Sequence, residues 1–260
     1  MSIFDRFRLD GKRLLITGAS RGLGRSMALA MCDAGADAVL ISRDAERLEQ
    51  TADEIRALGR AAETIAADLS TPEACEQVCR QVLDGGQPID ILVNNVGGRR
   101  ENIALVEQSL EKWRELMDLN LTSAVVFMQR IGGQMIERGQ GGRIINIASI
   151  NSFIVGRNIG GRHYETAKAA MIQLTRSAAV DWAPNGVTVN AICPGPFMTD
   201  ANRRWQRIHP EVIAGIKDQV PLGEYGDPDD LGPLAVYLAS DAAKYMTGAA
   251  LVIDGGYTLL

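Results

Sequence analysis

A short apolar run, Arg13-Leu14-Leu15-Ile16, enters the turn Thr17-Gly18-Ala19-Ser20-Arg21-Gly22-Leu23-Gly24, which opens into Arg25-Ser26-Met27-Ala28-Leu29-Ala30-Met31. The first piece reads as a buried strand and the last is built from good helix formers. Strand, glycine turn and helix in that order is the context a dinucleotide fingerprint needs. Gly18 lets the chain turn sharply. Gly22 and Gly24 let the backbone approach a pyrophosphate at the helix N-terminus, where free N–H groups and the helix dipole favour an anion. The spacing is G-x-x-x-G-x-G, not the commoner G-x-G-x-x-G.

The same alternation runs along the chain. Strands are predicted near 12–17, 38–42, 62–67, 89–94, 142–148, 187–192 and 249–253, and several are flat apolar runs, as expected when both sheet faces are covered. Helices are predicted near 22–34, 44–58, 72–84, 108–138, 161–183, 202–218 and 228–239. Asp44 and Thr71 stand where N-caps belong, and Pro72 takes a first helical position. This pattern predicts an α/β fold: a single Rossmann-type, doubly wound parallel sheet of about seven strands with helices on both faces. Ligands in such sheets bind beyond the C-terminal strand ends, at the switch in strand order. At 260 residues one domain, 1–260, suffices.

Tyr164 and Lys168 are four residues apart in His163-Tyr164-Glu165-Thr166-Ala167-Lys168, on one face of a predicted helix, with Ser149 upstream. A free tyrosine titrates near ~10, and bringing it to about 7 requires roughly 4 kcal/mol of differential stabilisation. A fixed ammonium helped by a second positive charge could supply that. The neighbouring His163 is expected to point away from the phenol and carries no catalytic assignment.

Together these residues resemble the short-chain dehydrogenase/reductase family, over nearly the whole chain from about Gly11 onward, with the motifs in family order. The resemblance implies catalytic roles for Asn120, Ser149, Tyr164 and Lys168. Tyr164 would be the acid/base and Ser149 the donor to the carbonyl oxygen. Lys168 would lower the tyrosine pKa and hold the nicotinamide ribose, and Asn120 would hold a water that links Lys168 to solvent. It implies cofactor contacts from Gly18, Ser20, Arg21, Gly22, Leu23 and Gly24, and from Ser42, Arg43, Asp68 and Leu69. Further contacts are implied for Asn95, Val96, Gly97, Tyr164, Lys168, Pro194, Gly195 and Thr199, with a substrate lid at about 196–220. Val96 replaces the family's usual alanine. The Ser149–Tyr164 interval is about two residues longer than is common and contains Gly156, Gly160 and Gly161, which leaves Ser152 as the alternative serine. Paired helices in the family also imply a homo-oligomer, tetramer or dimer. The apolar ending Leu251–Leu260 suits an interface.

NADP is expected over NAD. The second strand ends Val39-Leu40-Ile41-Ser42-Arg43, with serine where an acidic ribose ligand would stand and arginine following. Arginine can clamp a phosphate through two parallel hydrogen bonds, and Arg21 is a second candidate. Asp44 reads as the cap of the next helix. Arg99 and Arg100 follow the Asn94-Asn95-Val96-Gly97 strand end, Arg157 and Arg162 lie after Ser149, and Arg203, Arg204 and Arg207 lie in the lid. Of these, Arg99, Arg157, Arg162 and Arg203 are the candidate substrate contacts. Arginines at the mouth of a chain with net charge -5 suggest an anionic small molecule. The expected reaction is NADP(H)-dependent interconversion of a secondary alcohol and a ketone on a sugar acid or polyol. A 3-oxoacyl-[acyl-carrier-protein] reductase is the alternative within the family, and a non-catalytic dinucleotide-binding regulator the alternative from another class.

The acidic balance argues against nucleic-acid binding. No apolar run approaches the roughly 20 residues of a membrane span, and Met1–Arg8 has no secretory core, so a cytoplasmic protein is expected. Cys32, Cys75, Cys79 and Cys193 come without a histidine cluster, so reduced thiols and no metal are expected.

Overall fold

The structure is a computed structural model that describes residues 2–99, 101–156 and 160–260. Seven parallel strands form one sheet: β1 Arg13–Thr17, β2 Asp37–Ser42, β3 Ala62–Ala66, β4 Ile91–Asn94, β5 Gly142–Ile147, β6 Val187–Pro194 and β7 Ala250–Ile253. Their order is β3-β2-β1-β4-β5-β6-β7. The strand order therefore reverses between β1 and β4, where Leu14 is in register with Ile91 and Ile16 with Val93. The crevice above that pair is the ligand position of an open α/β sheet.

Alternating side chains explain the layers. Leu14 and Ile16 of β1 pack with Met27 and Met31 of α1 (Gly22–Asp33), Leu48 of α2 (Ala45–Ala57) and Leu238 of α10 (Gly232–Ala239). Leu15, between them, packs on the other face with Val78 and Val82 of α3 (Pro72–Asp84) and with Phe127. All three β1 side chains are fully buried; each such burial stabilises by ~1.5–3 kcal/mol. Gly232 permits the close crossing of α10 on α1, since a Cβ there would come within 2.6 Å of the Ala30 methyl.

The expected caps form. Asp44 accepts from Arg47 N–H at 3.2 Å, and Thr71 accepts from Ala74 N–H at 3.3 Å ahead of Pro72. The helix expected at 108–138 is a continuous rod with two π turns: α4 (Leu110–Met117), a π turn at Asp118–Thr122, α5 (Ser123–Phe127), a second at Met128–Gly132, and α6 (Gly133–Arg138). The single lid helix expected at 202–218 is instead two, α8 (Asp200–Ile208) and α9 (Pro210–Lys217), broken at His209 with φ -136° and ψ 65°. Pro210 causes the break: it disfavours helical geometry in the residue before it and has no N–H to give to a preceding turn. The helix carrying Tyr164 and Lys168, α7, spans Arg162–Trp182.

Candidate active site

The glycine turn is held from behind by one side chain. Asn95 Nδ2 donates to Thr17 O at 2.9 Å and to Gly18 O at 3.2 Å, while Thr17 Oγ1 accepts from the N–H groups of Asn95 and Val96 at 2.9 and 3.0 Å. Gly18 has φ +72° and Gly22 φ +54°, values that suit glycine. A Cβ on Gly24 would strike Gly18 O and Asn95 Nδ2. Arg21, at the N-cap of α1, makes no side-chain capping bond, so the first turn of the helix keeps donors for an outside anion.

These groups line one cavity of about 1700 Å³ above the β1–β4 switch. Every residue expected to contact the cofactor lines it, from Gly18 to Thr199, and so do Ser149, Tyr164 and Lys168. An uncapped helix N-terminus, a glycine turn without side chains and a cavity this large fit a dinucleotide. At the rim, Ser42 Oγ and Ser20 Oγ are 2.7 Å apart, and exposed Arg43 reaches Asp68 with Nη1 at 3.4 Å from Oδ2.

Tyr164, Lys168 and Ser149 meet at the inner end. Ser149, 5% exposed, stands in extended geometry just past β5, and its Oγ accepts from Asn151 N–H at 3.1 Å. Ser152 does not line the cavity, and its buried hydroxyl has no partner among the described residues. Lys168 is buried, donates to Ile147 O at 2.6 Å, and has its Nζ 5.9 Å from the centre of the Tyr164 ring. Burial lowers its pKa from 10.5 to about 8. Burial acts on Tyr164 in the opposite sense and pushes the phenol above its ordinary value. The neighbouring Ser149 hydroxyl and then the charge of Arg99 pull it back. Two cations flank the phenol ring: Arg99, whose Cζ is 5.0 Å from the ring centre, and Lys168. Lys168 is occupied with the Ile147 carbonyl.

Asn120 sits in the first π turn, wholly buried, behind the cavity wall. It accepts from Gly98 N–H at 2.8 Å and donates to Gly98 O at 3.1 Å and to Leu116 O at 2.9 Å. His163 is buried away from the phenol, with Nδ1 2.9 Å from Gln108 Nε2 and Nε2 2.8 Å from Arg99 O.

The arginines separate. Arg99 lines the cavity. Arg162 does not, because its guanidinium is turned onto both carboxylate oxygens of Glu165 at 2.9 Å. Arg203 lies in a neighbouring cleft of about 1200 Å³ between α1, α2 and α8, with Arg21, Arg47 and Arg207. The amphipathic α8 presents that face to α2, where Arg47 pairs with Asp200 at 3.7 Å. Arg157 and Arg100 lie outside the described residues. Sequence reasoning passed over Glu165 and Asn151, both of which engage Arg99. The three-residue spacing of Arg162 and Glu165 was the available signal. All four cysteines are buried. Among the described residues no helix is long and apolar enough to cross a membrane, and no cluster of His, Cys, Asp and Glu could hold a metal.

Known proteins resemble this chain along nearly its whole length. A family model described as Enoyl-(Acyl carrier protein) reductase matches residues 18–258. The chain is 38% identical over 256 residues to the 2-dehydro-3-deoxy-D-gluconate 5-dehydrogenase of Pseudoalteromonas atlantica, covering 98% of this chain and 99% of the relative. It is 34% identical over 250 residues to the 3-oxoacyl-[acyl-carrier-protein] reductase FabG of Aquifex aeolicus, covering 96% and 98%. Among solved structures, a gluconate 5-dehydrogenase from Burkholderia cenocepacia in complex with NADP and tartrate has a TM-score of 0.90 at 34% identity, with both chains covered to 100%. The chain therefore belongs to the short-chain dehydrogenase/reductase family, as an oxidoreductase acting on CH–OH groups with a nicotinamide dinucleotide.

Proposed function

We propose that this protein interconverts a secondary alcohol and a ketone on an anionic sugar acid, with NADP(H) as the preferred dinucleotide. The observation that carries this reading is the convergence of Tyr164, Ser149 and Lys168 on the wall of the glycine-turn cavity, with the guanidinium of Arg99 over the tyrosine ring. The relatives named for gluconate-type substrates support the substrate class.

The bound dinucleotide supplies or takes up the hydride. The chain's residues do the rest. Tyr164 gives its proton to the oxygen that becomes the alcohol, or takes it back in oxidation. Ser149 donates a hydrogen bond to that oxygen and orients it. Lys168 adds positive charge beside the phenol and offers a donor to the ribose. Asn120 acts from behind, by fixing the Gly97–Gly98 wall. Arg99 gives the cavity its positive end, which favours a carboxylate over a neutral ketone. Arg43 at the rim, with Ser42 where an acidic ribose ligand would stand and Asp44 used as a helix cap, favours the 2′-phosphate. A homo-oligomer would cover the exposed apolar end, where Leu259 and Leu260 lie open.

The test is NADPH oxidation, and the NADH reaction beside it, across 5-ketogluconate, an acetoacetyl thioester and simple cyclic ketones. Turnover is expected with the sugar acid and to fall by about 10²–10⁴ in Tyr164→Phe, with dinucleotide binding retained. Turnover with the thioester alone would move the assignment to a 3-oxoacyl reductase. Tight NADPH binding without turnover on any of them would make the protein a dinucleotide-binding regulator.

A further inference from the structure

Between Tyr164 and Lys168 stands a carboxylate that the reaction does not use. Glu165 is buried, with its side chain 8% exposed, on the inner face of α7. Its oxygens accept from Arg162 Nη1 at 2.9 Å, from Gly156 N–H at 3.3 Å and from Arg99 Nη2 at 3.5 Å. Arg99, 66 residues away in sequence, also donates through Nη1 to Gly160 O at 2.6 Å and Gly161 O at 3.3 Å, and through Nη2 to Asn151 Oδ1 at 3.5 Å. The pair thus holds both flanks of the long interval after Ser149, Gly156 on one side and Gly160–Gly161 on the other. Its guanidinium is left over the tyrosine face. Gly161 has φ +78°, and a Cβ there would meet Glu101 O and come within 3.2 Å of Arg99 Cγ, so the backbone is shaped to admit this arginine.

A guanidinium with free rotamers gains little from an aromatic face in water and loses much side-chain entropy by staying there. Here the carbonyls, Asn151 and Glu165 prescribe its place. We propose that Glu165 is a positioning residue: it holds Arg99 over Tyr164, so that Arg99 serves as the second cation of the acid/base centre. This rests on Tyr164 being the proton-transfer group. Among the described residues, other charged or titratable groups near the phenol include Lys168 on its own helix, Cys193 of β6 next to Lys168, and the adjoining His163, whose Nε2 is 2.8 Å from Arg99 O. Glu211, Asp218, Tyr225 and Tyr257 lie on the facing walls of the cavity. Of these groups His163 touches Arg99 through its backbone carbonyl, and the guanidinium bonds to none of them.

The sign of one shift tests the proposal. Deleting a nearby negative charge lowers a phenol's pKa, whereas displacing a cation raises it. Tyr164 can be titrated by near-ultraviolet phenolate absorbance with saturating NADP, taking the difference between each protein and its Tyr164→Phe counterpart. Arg99→Met is expected to raise the Tyr164 midpoint by about one pH unit. Glu165→Gln is expected to raise it as well, against the sign of its own charge change. The double variant should match Arg99→Met alone, the mark of residues that act through one another. Glu165→Asp, which keeps the charge at shorter reach, should fall between wild type and Glu165→Gln and serves if the glutamine variant does not fold. A lowered or unchanged midpoint in Glu165→Gln, or additive shifts in the double variant, would overturn the positioning role. The titration needs no substrate, so failure of the sugar-acid assays with these shifts intact would cost only the substrate class.

Discussion

Gly98 and Asn120 grip each other edge to edge: the Gly98 N–H donates to Asn120 Oδ1 at 2.8 Å, and Asn120 Nδ2 returns a bond to Gly98 O at 3.1 Å. A strand-end loop and a π turn are tied by one amide. The third bond, to Leu116 O at 2.9 Å, anchors the same amide to the helix turn before it. Asn120→Ala leaves the buried Leu116 carbonyl and the half-buried Gly98 peptide groups without this partner and should cost about 1–3 kcal/mol of unfolding free energy. Urea denaturation measures it, and a loss well under about 1 kcal/mol would mean that water replaces the amide without penalty.

Arg43 stands exposed at the cavity rim, and its only partner among the described residues is Asp68 at 3.4 Å. That loose pairing leaves it available to a 2′-phosphate. A charge-assisted bond is worth roughly 1.5–3 kcal/mol, so Arg43→Ala should raise the KM for NADPH by about ten- to a hundredfold and leave that for NADH nearly unchanged. Equal changes for the two dinucleotides would show that Arg43 does not read the phosphate.

Lys168 is held below its ordinary pKa, at about 8, by burial. Between that value and 10.5 the unfolded chain binds more protons than the folded one, so this group makes stability rise with pH across that window. Below it, the folded protein carries the full cost of a buried charge. Lys168→Met, which removes the charge, should therefore raise the Tm of the dinucleotide-free protein near neutral pH and abolish most activity. The gain should shrink as pH climbs toward 10.5. A gain independent of pH would place its origin in packing and not in the ammonium.

The four thiols are buried and inert by environment: burial pushes Cys32 and Cys79 up to about 12 and Cys75 and Cys193 up to about 11. Thiolate is the reactive form. Iodoacetamide should leave the native protein unlabelled over hours near neutral pH and modify all four in denaturant, as read by intact mass. Rapid native labelling at Cys75 would reveal local opening of α3.

Much of the cavity was legible because its parts are local in the chain. Gly18, Gly22 and Gly24 lie within one turn, Tyr164 and Lys168 within one helical turn, and Asn94–Gly97 at the end of an apolar strand. Each motif ends a strand or starts a helix, and a parallel sheet collects all such points on one edge. The break at His209 was equally local, since Pro210 announces it, but helical patterning through the lid masked it.

Sequence periodicity by itself determined the alternation of about seven strands with helices, the covered sheet faces, the glycine turn and the sharing of one helix face by Tyr164 and Lys168, because those depend on neighbours within a turn or a strand, whereas the family resemblance pointed to Ser149. Only the tertiary structure decided which arginine faces the reacting group. Arg99, Arg162 and Arg203 are alike as letters, yet one lies over Tyr164, one is taken by Glu165 and one is in another cleft. That outcome is a competition among distant carbonyls, carboxylates and rings for the same few guanidinium donors, and the winners are set by where the folded chain brings its far segments together.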